Sequence, residues 1–399
     1  MRRALSAVLA VIGVLALVSG SSVYRPEAPS GVVRGETVSV TSVLRLTAEQ
    51  TAAYLSEHGD TTSVANGVSA YRVVYTTVDP RGVETTASGL VVLPRTDTHR
   101  LRVVGYEHGT IVRRDEAPSA AGETERARAV MFAAAGYAVV APDYLGLGTG
   151  PGRHPYAHAP TEATASVDLL RAARTLVARE GHELDGNVLV TGFSQGGQAA
   201  VALGRELRDG KVPGFAPAAV AAVSGPYDVR HAQAPAALDG RVTPRAAVIY
   251  LAYWITAMNG IYHFYDDPTE AFRPPFAGRV ERLFDGTHGL VDIALNLPAT
   301  PAELLTPRYI DWARDPDGAA ARAMDDSDIG CDWVPEVPVR LYAATGDRSV
   351  PYENARRCMR EPLGVGAELV DLGDIDHGAT AGVALPRILD WFQQLVPPR

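Results

Sequence analysis

The chain has 399 residues, 46% of them apolar and 21% charged, which is ordinary globular composition and enough length for a large core. Its formal net charge of −9, with no run of Lys or Arg, excludes a nucleic-acid partner by the electrostatic criterion. An acidic balance speaks for solubility and says nothing about fold.

The first 20 residues read as a secretory signal peptide. Arg2 and Arg3 precede an apolar stretch from Ala4 to Val18, and small residues follow up to a cleavage point near Gly20. The alternative is an uncleaved N-terminal anchor, for which the apolar run is short of the ~20 residues a span prefers. No cysteine stands near residue 20, which disfavours a lipoprotein. The expected location is therefore secreted. The next segment, SSVYRPEAPSGVVRG, shows no period and is expected to hang free.

Structure is expected from about residue 36. SAYRVVYTTVDPRGVETTASGLVVLP reads as two β-rich runs around the turn DPRG, a hairpin. RLRVVGYEHGT is a short apolar run into a glycine loop, ETERARAVMFAAAG a helix, and YAVVAPDYLGLGTG another strand into a loop. TASVDLLRAARTLVARE has helical spacing, and GNVLVTGFSQGG and FAPAAVAAVSGP repeat the strand theme. Around residue 226 the alternation stops for roughly a hundred residues rich in Ala, Pro and aromatics. It resumes with VPVRLYAATGD, YENARRCMRE, AELVDLGDIDHG and a final amphipathic helix, ATAGVALPRILDWFQQLV. Alternation of this kind predicts an α/β fold: a mostly parallel central sheet flanked by helices, built from residues 36–225 and 336–399. Residues 226–335 are expected to form a mainly helical cap. In such sheets the chemistry lies beyond the carboxyl ends of the strands.

One of those ends carries Gly192-x-Ser194-x-Gly196. Chance would write this pattern about 0.15 times in such a chain, so its context decides. GNVLV leads in as a strand and GGQAAVALGRELRD leads out as a helix, the setting of a nucleophile elbow. A serine hydroxyl needs a base to take its proton. In the chain order of such sites, acid and then histidine follow the serine. His231, His263 and His288 fall in the expected cap, which leaves His377 in the loop DIDHGAT. Asp347, at the tip of ATGDRSVP, is the expected acid, with Asp374 the alternative. The amide of Gln195 is the first expected oxyanion donor. In YEHGT the amide of Thr110, or else of Gly109, is the second, with His108 orienting the loop.

Other signals carry less. LGLGTGPG lacks the spacing of a dinucleotide loop, and His154 and His158 lack a glutamate between them for a metal helix. DDSD at 325–328 lacks calcium-loop spacing and is expected to be a solvated turn. AAVIYLAYWITAMNGIYHFY is too short to span a membrane and is expected to be a buried cap helix. Part of it, with Tyr253, Trp254 and Met258 as candidates, could line an acyl pocket or a lid that opens at lipid interfaces. Cys331 and Cys358, an even pair in an exported chain, are expected to form a disulfide.

YEHGT, APDYLGLG, GFSQGG, ATGDRSVP and DIDHG, in this order, resemble the α/β-hydrolase fold. Within it the combination is similar to secretory lipases of the fungal lipase A type and their bacterial relatives, over residues 36–399. The absence of an HGGG loop departs from the esterases that carry one. The resemblance implies Ser194, Asp347 and His377 as a triad and Gln195 and Thr110 as oxyanion donors. The expected activity is hydrolysis of a small-molecule or lipid ester through an acyl-enzyme, without metal or organic cofactor and with transient lipid-interface contact. A secreted peptidase or amidase on the same fold is the alternative, and an inactive binding protein a further one. No adjacent Glu–Glu pair is present to hold a substrate's amino terminus.

Overall fold

The computed structural model describes residues 33–399. The expected signal segment lies outside the described residues. Among those described, nine strands form one sheet: β1 (Thr37–Leu46), β2 (Gly67–Val78), β3 (Glu84–Arg95), β4 (Arg100–Glu107), β5 (Ala138–Pro142), β6 (Glu183–Phe193), β7 (Ala216–Val223), β8 (Val339–Ala343) and β9 (Ala367–Asp371). Their order across the sheet is β1-β2-β3-β5-β4-β6-β7-β8-β9. The β1–β2, β2–β3 and β3–β5 pairs are antiparallel, and every pairing from β5 through β4 to β9 is parallel.

The early helices are α1 (Ala48–Glu57), α2 (Glu123–Ala134), α3 (Ala159–Arg179) and α4 (Gln195–Arg208). Between β7 and β8 come α5 (Ala234–Asp239), α6 (Pro244–Tyr262), α7 (Pro268–Ala271), α8 (Val280–Leu283), α9 (Leu290–Asn296), α10 (Pro301–Leu304), α11 (Pro307–Arg314) and α12 (Gly318–Asp328). Two more follow, α13 (Glu353–Cys358) and α14 (His377–Leu395). None of these helices is long and apolar enough to cross a membrane.

Alternation along the strands builds two cores, because successive side chains point to opposite faces. Val103, Val190, Ala222 and Leu341 meet Leu170 of α3 and Val201 of α4 on one face. Their chain neighbours Val104, Leu189, Ala221 and Tyr342 meet Phe132 of α2 and Ile388 of α14 on the other. Covered on both faces, the parallel strands read as continuous apolar runs, not as alternating ones. The helices between β7 and β8 pack into a cluster of their own, with Ala252, Ile255 and Met258 of α6 at its centre, joined by Val112 and Tyr156 from the sheet's loops.

Three sequence expectations need correction. Strand β1 and helix α1 were not anticipated: β1 is an edge strand without a fully buried residue, so no alternating pattern marks it. The segment expected to hang free is tied at its end. Arg34 Nε lies 3.0 Å from Asp168 Oδ2, a fully buried carboxylate on α3 that also accepts from Thr77 and Arg171. DDSD is the last turn of α12 and not a solvated turn. Asp326 and Ser327 are buried, and Asp328 accepts from the backbone amides of Val229 (2.6 Å) and Arg230 (3.1 Å). Cys331 and Cys358 form a disulfide, Cα–Cα 5.4 Å, which joins the chain after α12 to the end of α13.

Candidate active site

The loops after β4, β6 and β8, and the residues between β9 and α14, converge at the carboxyl edge of the sheet. Strand β6 ends at Phe193 and α4 begins at Gln195, so Ser194 alone makes the turn. It does so with φ 57° and ψ −120°, a backbone conformation that costs a non-glycine residue on the order of 1–3 kcal/mol. Its amide donates to Val223 O (2.8 Å), which fixes the turn against β7. The flanking glycines are required by contact. A Cβ at Gly192 would lie 2.1 Å from Gly196 O, and one at Gly196 would lie 2.0 Å from Glu107 O.

His377 opens α14, whose first turn is capped by Asp376 accepting from the Ala379 amide (3.0 Å). Its Nδ1 is 2.7 Å from Asp347 Oδ2, and its Nε2 is 2.8 Å from Ser194 Oγ. A carboxylate only accepts, so Nδ1 carries the proton and Nε2 is left to accept from the serine hydroxyl. The second oxygen of Asp347 accepts the amides of Ser349 and Val350, both at 2.8 Å, which locks the carboxylate's rotation. Phe193 packs its ring 4.9 Å from the imidazole. Ser194, Asp347 and His377 are thus brought together. Asp374, the alternative acid, is not bonded to the imidazole; its side chain crowds Gly346.

Opposite the serine lies the loop after β4. His108 is fully buried, with Nδ1 2.6 Å from Gly109 O and Nε2 3.3 Å from Asp143 O. Carbonyl and amide of a trans peptide point opposite ways, so the bond to Gly109 O turns the Thr110 N–H away from His108. The amides of Gln195 and Thr110 have no acceptor among the described residues. Gly109 itself is pinned against Phe193, whose ring lies 3.0 Å from where a Cβ would be.

Behind the serine is a buried polar cluster that the sequence reading missed. Gln195 Nε2 lies 2.8 Å from His154 Nε2 and 2.7 Å from Glu162 Oε1, while His154 Nδ1 lies 2.9 Å from Leu145 O. His154 therefore donates from Nδ1 to the carbonyl, accepts at Nε2, and the other amide hydrogen goes to Glu162. Glu107, the last residue of β4, accepts from Ser166 Oγ (3.0 Å). Burial pushes both carboxyls up to about 8. It pushes the His154 and His158 imidazoles down to about 3, so both are neutral at pH 7. The only sequence signal was a glutamate closing an apolar strand and another within the first turn of a helix, and neither spacing suggests that they meet.

A cleft opens beside Ser194 and Gln195, walled by Tyr250, Leu251, Trp254 and Ile255 of α6 and by Tyr156, Trp312 and Met324. Trp254 lies in this wall. Tyr253 and Met258 do not: Tyr253 sits on another side of α6, and Met258 follows Trp254 by one turn on the same face, beyond the cleft. Tyr253 stacks between Tyr156 (4.2 Å) and Phe284 (4.7 Å), and Met258 is fully buried among the inserted helices.

Residues 126–376 match the family model described as Alpha/beta hydrolase family. The chain belongs to this family. Among solved structures the hydrolase is similar to a candidate hydrolase from Legionella pneumophila subsp. pneumophila, at 27% identity and TM-score 0.84, covering 90% of this chain and 98% of that one. It is also similar to the rice cell wall degrading esterase LipA from Xanthomonas oryzae, at 26% identity and TM-score 0.79, covering 91% and 98%. Candida antarctica lipase A shares the fold at 14% identity and TM-score 0.65, covering 94% and 91%. No curated protein matches the chain.

Proposed function

We propose that this hydrolase is a secreted carboxylic ester hydrolase with Ser194 as nucleophile, His377 as general base and acid, and Asp347 as the group that holds the imidazole. The observation that carries the proposal is the unbroken hydrogen-bonded row Asp347–His377–Ser194, 2.7 and 2.8 Å long, on a serine in a strained strand-to-helix turn. Ser194 attacks the ester carbonyl as its proton passes to His377 Nε2. Negative charge builds on the carbonyl oxygen, where the unengaged amides of Gln195 and Thr110 are its natural donors. The C–O bond to the alcohol breaks as His377 returns the proton to it, leaving an acyl-enzyme. Water, deprotonated by the same imidazole, then releases the acid.

An apolar cleft beside the serine supports an acyl or alkyl group as the part of the substrate that is bound. Residues 226–335 serve in this reading as the cap that closes the cleft. Secretion accords with the signal-like N-terminus and with the disulfide. The esterase activity of the Xanthomonas protein supports ester over amide chemistry.

The test is hydrolysis of p-nitrophenyl esters from acetate to palmitate, with Ser194→Ala as control. Turnover that Ser194→Ala abolishes is expected, and the preferred chain length reports how much of the cleft an acyl group fills. Folded wild-type protein that turns over none of these esters overturns the proposal.

A further inference from the structure

Gln195 is held by its side chain as well as by its place at the start of α4. Its Nε2 lies 2.8 Å from His154 Nε2 and 2.7 Å from Glu162 Oε1. His154 Nδ1 faces Leu145 O at 2.9 Å and must donate to it, so the neutral imidazole can only accept at Nε2. Nitrogen, not oxygen, is therefore the end of the carboxamide turned toward His154, and both its hydrogens are used. Two oxygens of the same pair remain. Gln195 Oε1 and Glu162 Oε2 are buried and have no partner among the described residues. In an amide and a carboxylate both could only accept, and neither would find a donor. A single proton on Glu162 Oε2 satisfies both, because an acid and a primary amide bind as a ring, N–H to Oε1 and O–H to Gln195 Oε1.

The surroundings keep that proton in place. Glu162 stands in the first turn of α3 and is buried. The ionisable side chains that face it are Glu107 at the end of β4 and Tyr144, His154 and Tyr156 from the loop between β5 and α3. None is a cation, since burial leaves His154 neutral at pH 7. Tyr75 of β2 turns to Ala165 O, and Asp326 of α12 accepts from Tyr262. Burial first, and then the Glu107 carboxyl, raise the Glu162 acid to about 8 against the bond from Gln195 and the Ala157 backbone. The ring matters because of what lies at the other end of Gln195. The Ser194–Gln195 peptide carries the amide proposed for the oxyanion, and the strained backbone of Ser194 would relax by turning this peptide. Its oxygen is held by the Gly197 amide at 2.8 Å; beyond the nitrogen, the anchor is the Gln195 side chain.

We propose that Glu162, as a neutral acid closing a two-bonded ring with the Gln195 carboxamide, is a positioning residue that aims the Gln195 amide at the oxyanion. The inference rests on the ester-hydrolase reading and adds a requirement to it: turnover needs a proton on a group that takes no part in the proton transfers. When Glu162 ionises, its Oε2 and Gln195 Oε1 face each other as two acceptors. The ring opens, the amide loses its anchor, and a negative charge stands behind the developing oxyanion. Each effect slows the chemical step and leaves binding in the cleft alone, so kcat falls and KM stays.

The experiment follows kcat and KM for p-nitrophenyl butyrate from about pH 7.5 to about pH 9.5 in wild type, Glu162→Gln and Glu162→Met. The ratio of kcat at the two ends is taken within each protein, so that general damage to the enzyme cancels. In wild type, kcat is expected to drop about tenfold or more, with a midpoint near 8 and KM unchanged. In Glu162→Gln two carboxamides rebuild the ring without a titratable proton, so the drop is expected to vanish. Glu162→Met cannot close the ring, and its kcat at the lower pH is expected to lie at least about tenfold below that of Glu162→Gln, part of the ~10²–10³ that a whole donor is worth. Independently of turnover, the infrared difference between wild type and Glu162→Gln at neutral pH is expected to show the carbonyl band of a protonated acid. A flat wild-type profile, a drop that persists in Glu162→Gln, a Glu162→Met as fast as Glu162→Gln, or a carboxylate band in place of the acid band each overturns the proposal. The profile and the band decide even where Glu162→Met does not fold. Wild-type protein that hydrolyses no ester overturns the ester-hydrolase reading instead, and the infrared band then decides the ring alone.

Discussion

Gly196→Ala should separate catalysis from binding, because of where its methyl group lands. The added Cβ would lie 2.0 Å from Glu107 O, 2.5 Å from Glu107 C and 2.6 Å from His108 O. All three are backbone atoms, so no side-chain rotation relieves them. Ordinary contact begins at 3.4 Å, so the start of α4 and the end of β4 must part by about 1.4 Å. These two segments carry the proposed oxyanion donors: Gln195 directly precedes the substitution, and Thr110 follows His108 by two residues. A displacement above 1 Å takes one donor out of the ~2.7–3.1 Å range in which it can serve the oxyanion. Loss of one donor is worth about 10²–10³ in kcat. KM is expected to move little, since the cleft wall comes chiefly from α6 and the other inserted helices. Overpacking of this kind costs about 1–3 kcal/mol, within the ~5–15 kcal/mol that holds a domain together, so the variant should fold. Steady-state kinetics on a p-nitrophenyl ester, beside circular dichroism and urea unfolding, make the comparison. A folded Gly196→Ala with kcat within threefold of wild type would refute the reasoning, because the two edges of the site would then not be rigidly coupled.

Asp347→Asn keeps an acceptor for the Ser349 and Val350 amides but turns an NH₂ toward His377. That favours the wrong tautomer and should lower kcat about 10⁴-fold with little change in unfolding free energy. Replacing Cys331 and Cys358 by serine opens a loop of sequence separation 27, and on the chain-entropy estimate should cost about 3.5 kcal/mol in urea unfolding. Stability should also follow pH from both sides. Glu107 and Glu162 hold their protons to about pH 8 in the fold, whereas the unfolded chain releases them near 4.5, so stability declines as pH rises through that window. His154 and His158 take up protons only near pH 3 in the fold, against 6.5 unfolded, so stability declines as pH drops from 6.5 to 3. Urea unfolding across pH should therefore show stability falling off toward both ends, and Glu162→Gln should make the upper limb shallower. An unchanged upper limb in that variant would place Glu162 elsewhere than in a buried, protonated state.

Much of the architecture was legible because strands buried on both faces leave unbroken apolar runs. GNVLV, AVVAP and AAVAAV cannot satisfy a single-faced sheet, and the helical spacing between them forces parallel crossovers. Ser194 was legible because its requirement is local. Glycine is needed on both sides by contacts of about 2 Å, and such needs are written into adjacent letters. His377 was reached by elimination, from the order in which strand ends must occur. Asp347 was preferred to Asp374 because a separate strand end can bring its side chain to the ring edge, and it is the one that lies 2.7 Å from the imidazole. Edge strand β1 left no trace, because a strand with no fully buried residue has no periodicity to show.

The cleft was the least legible part, and α6 shows why. Its stretch from Ala246 to Met258 is apolar or aromatic almost throughout, since it is covered on one side by the other inserted helices and on another faces the cleft. A helix apolar all round carries no moment, so periodicity cannot say which side turns toward Ser194. Tyr253, Trp254 and Met258 stood out by residue type, yet the wall is the face of 250, 251, 254 and 255, where positions three and four apart line up. The same ambiguity hides Glu107, Glu162 and His154. Each is a single polar letter beside apolar neighbours, and only the fold shows that all three belong to the buried cluster behind one serine. Where burial is two-sided, then, the sequence records that a position is covered but not by what.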